Sequence, residues 1–148
     1  MYKARGSAAV DISREEAWEK LSDLSLAPEY VPGVNGCEFI TDSRSGLGAT
    51  RRVFPMEMDE KVVLWDEGRE IRLDLSKKGE GRFFPFRNAQ FSYRLTDYEP
   101  CILVLSLEYE PYFGKLGQLV FGRTIRKRIK ETALSMQRYY NQDVKKVI

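Results

Sequence analysis

The chain has no histidine among its 148 residues. That removes the commonest general base, proton shuttle and metal ligand at neutral pH, and with it every histidine-dependent triad. Only two cysteines occur, Cys37 and Cys101, neither in a CxxC pair. No zinc cluster or disulfide framework is indicated, and both read as buried small hydrophobes. P-loop and dinucleotide-binding glycine fingerprints are missing as well. No apolar run approaches the roughly 20 residues that cross a bilayer, and the opening residues lack the apolar core of a secretory signal, so the cytoplasm is the expected location. An excess of one charge is also lacking. The chain has 24 basic and 22 acidic residues, a net charge of +2, and no global field draws nucleic acid or an anionic membrane from a distance.

What is present fits one folded domain over residues 1–148. Hydrophobic residues make up 43% and charged ones 31%, enough apolar content to offset the entropy of ordering. A chain of this length removes roughly two thirds of its unfolded surface from water.

After an extended segment from Lys3 to Asp11, Ser13-Arg14-Glu15-Glu16 is a capping-box pattern and begins a helix. Ala17, Trp18, Leu21 and Leu24 form its apolar face, and Pro28 and Pro32-Gly33 break it, with a second helical turn about Pro28 to Val31. From Val34 to Glu110 the period becomes two. Turn signals divide this stretch into six strands, about 34–42, 48–55, 58–66, 69–76, 86–97 and 101–110. The links are too short for crossover helices, so the sheet is an antiparallel meander. Past Pro111 the period returns to 3.6 and predicts one long helix over Lys115–Gln142, with a frayed end after Asn141. Gly122, Ile125, Ile129, Ala133, Met136 and Tyr140 share the stripe that faces the sheet. The order is β-αα-β6-α.

That order, with Ala27-Pro28-Glu29-Tyr30-Val31-Pro32-Gly33-Val34, Gly46-Leu47-Gly48-Ala49-Thr50-Arg51, Val62-Val63-Leu64-Trp65-Asp66 and Leu107-Glu108-Tyr109-Glu110-Pro111, resembles the Bet v 1-like superfamily, which includes START domains. Within it, the motifs look like the polyketide cyclase/dehydrase-like branch. The resemblance covers nearly the whole chain. It implies an α+β helix-grip fold, a curved seven-stranded antiparallel sheet around a long C-terminal helix. The functions it implies range from lipid carriage and hormone reception to aromatase/cyclase chemistry, ubiquinone binding and chaperone activation.

A long helix laid across a curved sheet encloses volume on the concave side. The residues expected to line it are Phe39, Arg51, Phe54, Leu73, Phe91, Tyr93, Leu105, Leu107, Tyr109, Gly122, Ile125 and Ile129, with Ile71 and Leu75 beside them. Gly122, with Ala133, marks either room for a ligand or a close approach of helix to strand. Arg51 and Arg52 are adjacent in a strand, so alternation aims one of them inward, where it needs a ligand carboxylate or a protein acid, unless it snorkels or a bulge re-aims it. Two loops are unusually apolar, Phe83 to Phe86 and Tyr112 to Gly117. Phe84, Phe86, Tyr112 and Phe113 are candidates for a gate, with a homodimer contact or a simple lid as the other readings. The basic run Arg123, Arg126, Lys127, Arg128 and Lys130 is read as a solvated helix face, with lipid or RNA phosphate as the alternative.

The expected function is binding or transport of a small hydrophobic, lipid-like or polycyclic ligand in an internal cavity. Catalysis of the cyclase/dehydrase type, by confining a reactive chain near Tyr93, Tyr109 or an arginine, is the alternative. A protein- or ribosome-interaction module is the third reading. No catalytic residue, metal or cofactor is expected, and no specific nucleic-acid partner.

Overall fold

The local signals place the first elements. In the computed structural model, which describes residues 1–77 and 86–147, strand β1 (Tyr2–Ala9) leads to helix α1 (Arg14–Leu21). Ser13 caps α1, its Oγ accepting the Glu16 N–H at 3.1 Å, which satisfies one of the helix's orphan donors. The chain then makes a 3-10 turn (Leu24–Leu26) and a short helix α2 (Ala27–Tyr30). Leu24, expected on α1, lies in that turn. Ala17, Trp18 and Leu21 are buried as the spacing predicts.

Six strands follow: β2 (Gly36–Phe39), β3 (Thr50–Phe54), β4 (Met58–Asp66), β5 (Glu70–Lys77), β6 (Phe86–Leu95) and β7 (Ile102–Pro111). Together with β1 they form one antiparallel sheet in the order β1-β7-β6-β5-β4-β3-β2. The meander is as expected, but β2 is shorter than 34–42. Asn35 and Ile40 each donate a backbone bond to β3, and regular pairing ends there. Helix α3 (Gly114–Val147) closes the chain and runs past the frayed end expected after Asn141.

Two register shifts bend the sheet, between Phe86 and Asn88 on β6 and between Val62 and Leu64 on β4. The second explains why the apolar run Val62-Val63-Leu64 is not buried throughout. Val62 faces the core, while Val63 and Leu64 are both exposed. One carboxylate ties the β4–β5 turn to α1. Glu67 accepts the indole N–H of Trp18 at 2.9 Å and of Trp65 at 2.7 Å, and these bonds, Trp65's first, hold its carboxyl below the usual glutamate range.

Helix α3 packs chiefly on β1 and β7 and touches α2. The inner face of β1 is why it lies so near that edge. Ala4, Gly6 and Ala8 alternate there, opposite Leu107, Leu105 and Leu103, and a Cβ on Gly6 would come within 3.1 Å of the Ile129 carbonyl oxygen. The small residues that admit the helix are on the strand. Leaning to this side, α3 stands away from β3, β4 and β5.

Candidate functional site

Arg51 lies inside the protein and Arg52 on the outer face, as alternation along β3 requires. Arg51 is 1% exposed. Its Nε donates to Glu60 Oε1 at 2.6 Å, its Nη1 to the Leu24 carbonyl at 2.7 Å, and its Nη2 lies 2.6 Å from the same Glu60 oxygen. Glu60 is its direct cross-strand partner, as Asp59 is for Arg52, and Asp59 takes Arg52 in a two-pronged pair at 2.7 and 3.1 Å. Each arginine is therefore satisfied by a protein acid, with no bulge needed. Burial opposes the Arg51 charge, but Glu60, Tyr93 and Tyr30 together outweigh it, raising the pKa and keeping the guanidinium protonated.

The Tyr30 and Tyr93 phenols lie beside the Arg51 guanidinium. Burial pushes both phenols above the ordinary tyrosine value, and the arginine's charge offsets only part of that. Tyr140, its ring edge-on to Tyr30 at 6.3 Å, has a fully buried hydroxyl with no hydrogen-bond partner among the described residues.

Where α3 stands off from the sheet there is a cavity of about 210 Å³. Its walls come from α2 and the following loop (Ala27, Val31, Pro32, Val34), from β3 and β4 with their turn (Val53, Met56, Met58), from β5 to β7 (Leu75, Phe86, Phe91, Leu107) and from α3 (Ile125, Ile129, Thr132). Two ionisable side chains join them, Glu60 and the exposed Arg128. The Thr132 hydroxyl is already engaged, donating to the Arg128 carbonyl at 2.8 Å. Glu60 thus belongs both to the cavity wall and to the Arg51 network. The cavity offers apolar surface and one carboxylate whose charge is balanced from behind.

Of the residues expected to line the cavity, Phe91, Leu107, Ile125 and Ile129 do so, with Leu75. The others lie elsewhere. Phe54 is on the outer face, because alternation that turns Arg51 and Val53 inward turns Phe54 out against Gly36. Phe39 sits opposite Arg51 with the Arg44 guanidinium over its ring at 4.6 Å. Leu73 and Leu105 are buried among other core side chains. Tyr93 and Tyr109, the hydroxyls considered for confinement catalysis, stand behind the wall: Tyr93 against Arg51, Tyr109 donating to Gln118 Oε1 at 2.6 Å. Gly122 is buried, but the Gln118 side chain folds over it on its way to Tyr109, so a Cβ would meet Gln118 Nε2 at 2.6 Å. The space is filled by a side chain of the same helix, neither open to ligand nor closed by a strand.

Among the gate candidates, Phe86 is buried in the cavity wall and edge-on to Tyr109 at 5.5 Å, Tyr112 has the Arg87 guanidinium 5.7 Å above its ring, and Phe113 projects into solvent. Phe84 lies outside the described residues. Cys101 is buried as expected, whereas Cys37 is half-buried; neither is in a disulfide. Glu60, Val53, Met56 and Met58 were missed as wall residues. The signal for Glu60 was available: Arg51-Arg52 and Asp59-Glu60 lie symmetrically about the Pro55 turn, so antiparallel pairing sets each cation opposite an acid.

The model of the polyketide cyclase / dehydrase and lipid transport family matches residues 1–140. No curated protein matches the chain. Among solved structures, an NMR structure of a protein from Thermobifida fusca is 17% identical, covers 96% of this chain and 95% of its own, and superposes with a TM-score of 0.78. A START superfamily protein from Mycobacterium smegmatis is also 17% identical, with 96% and 99% covered and a TM-score of 0.70. The di-domain aromatase/cyclase BexL of the BE-7585A biosynthetic pathway is 11% identical at a TM-score of 0.76, over 93% of this chain and 45% of that one. At these identities the likeness is one of fold, and it bears out the helix-grip architecture.

Proposed function

Because the chain belongs to the polyketide cyclase / dehydrase and lipid transport family, we propose that it binds and carries a compact hydrophobic molecule bearing one hydrogen-bond donor. The observation that carries this reading is the cavity of about 210 Å³, apolar except for Glu60, the exposed Arg128 and Thr132, whose hydroxyl is already engaged. Apolar walls reward burial at roughly 25 cal/mol per Å². The volume is below the roughly 300–1,000 Å³ of sites for drug-sized ligands, which favours a short chain or a single ring over a polycycle. Arg51 is committed to Glu60 and the Leu24 carbonyl, and the lining cation Arg128 is solvent-exposed, so the buried polar group offered to a ligand is an acceptor, Glu60. A hydroxyl suits it; a carboxylate would meet Glu60 with like charge.

Native mass spectrometry before and after organic extraction tests whether a hydrophobic mass co-purifies. Titration with an alcohol and a carboxylic acid of equal chain length then tests the polar end. The alcohol is expected to bind about tenfold more tightly, as a hydrogen bond to a charged group warrants, and Glu60→Gln should narrow the gap. An empty protein that binds neither compound, or one that prefers the acid, would refute the reading.

A further inference from the structure

The outer side of α3 carries an apolar patch that the cavity does not use. Leu116, Leu119 and Val120 lie within one stripe on the side opposite Ile125, Ile129 and Met136, and Phe113 stands just before the helix. Leu119 is 80% exposed and Phe113 70%. Phe113 holds this position with φ at 66°, the left-handed region in which a bulky side chain is strained. The chain here keeps an aromatic ring in water in an unfavourable backbone conformation.

The same stripe continues as Arg123, Lys127 and Lys130, with Lys115 and Arg126 nearby. Residues 112–130 contain no aspartate or glutamate. None of these five cations pairs with an acid among the described residues. An apolar tip backed by a basic collar is complementary to an anionic bilayer. The apolar side chains reach the boundary of headgroups and acyl chains, and the cations meet the phosphates above it. A second copy suits the surface poorly, since a two-fold contact would press Arg123 and Lys127 against their own counterparts. Single-stranded RNA is disfavoured because the basic turns carry no exposed aromatic on which bases stack. We infer that Phe113 and this outer face of α3 seat the protein on an anionic lipid surface. The inference goes beyond the ligand reading and does not depend on it, since docking needs no occupied cavity.

Flotation of the full chain with phosphatidylcholine vesicles, with and without phosphatidylserine, tests it. The protein should float with the phosphatidylserine vesicles and be released by added salt. Arg123→Gln with Lys127→Gln should lower partitioning by about thirty-fold, from about 1 kcal/mol per cation. Leu119→Ser should lower it by about tenfold through lost apolar burial. These side chains are exposed, so circular dichroism and melting should be unchanged. Absence of binding, equal binding to both vesicle types, or variants that bind like the wild type would overturn the proposal. So would a dimer in ultracentrifugation that Leu119→Ser returns to monomer, or salt-sensitive binding to single-stranded RNA in place of vesicles.

Discussion

Arg51 and Glu60 show how one residue pair shapes the candidate site. Taking two charges out of water is costly, and their geometry repays it only while both are present. Arg51→Met leaves Glu60 charged and unpaired at the cavity wall and should destabilise the protein by about 3–5 kcal/mol. Adding Glu60→Leu should recover most of that loss, a non-additivity that urea denaturation of the two single variants and the double variant would measure. The inward turn of one arginine was legible from alternation, and the choice between the two was not. Alternation puts Arg51 on the face of Val53, and only the packed structure decides that this face, with Glu60 opposite, is the inner one. The same parity sends Phe54 outward, a consequence that follows once Arg51 is known to point in.

At the level of elements, the junction of β7 and α3 depends on glycines for different reasons. A Cβ on Gly117 would run into the Tyr112 carbonyl, and backbone cannot move aside as a side chain does. Gly117→Ala should therefore destabilise the protein by about 1–3 kcal/mol, as overpacking does. Gly122→Ala meets only the flexible end of Gln118. It gains about 1 kcal/mol of helix propensity and gives up the Tyr109–Gln118 bond, worth about 1 kcal/mol, so its net effect should be near zero. Thermal melts of the two variants compare these outcomes directly. The wheel put Gly122 correctly on the buried stripe. It carried no information on Gln118, because which side chain folds over a gap depends on a partner, Tyr109, on another element. The strand-side signal, Ala4, Gly6 and Ala8 at alternate positions, was present in the sequence and marks where α3 approaches.

Across the whole molecule, the buried phenols make stability depend on pH on the alkaline side. Tyr30, Tyr93 and Tyr140 have hydroxyls raised above the ordinary value, chiefly by burial. A folded-state pKa above the unfolded one means that the stability from these groups is complete below about pH 10, the free tyrosine value, and is lost as pH rises through the folded values. Urea denaturation should show stability falling beyond about pH 10, with part of the phenolate absorbance appearing only as the protein unfolds. Tyr140→Phe removes a buried hydroxyl that has no hydrogen-bond partner among the described residues. It should stabilise the protein by about 1 kcal/mol at neutral pH and flatten the alkaline decline.

The sequence by itself determined the succession of elements, the antiparallel meander and the buried stripe of α3, because periodicity, caps and turn residues act over a few neighbouring positions. It also excluded histidine chemistry outright. The place and size of the cavity were decided only in the tertiary structure. They depend on how far α3 leans toward β1, on which side chains of separate strands meet beneath it, and on Glu60 joining the wall while it neutralises Arg51. Those are contacts between residues far apart in the chain, and their outcome is set by the competition for one shared volume.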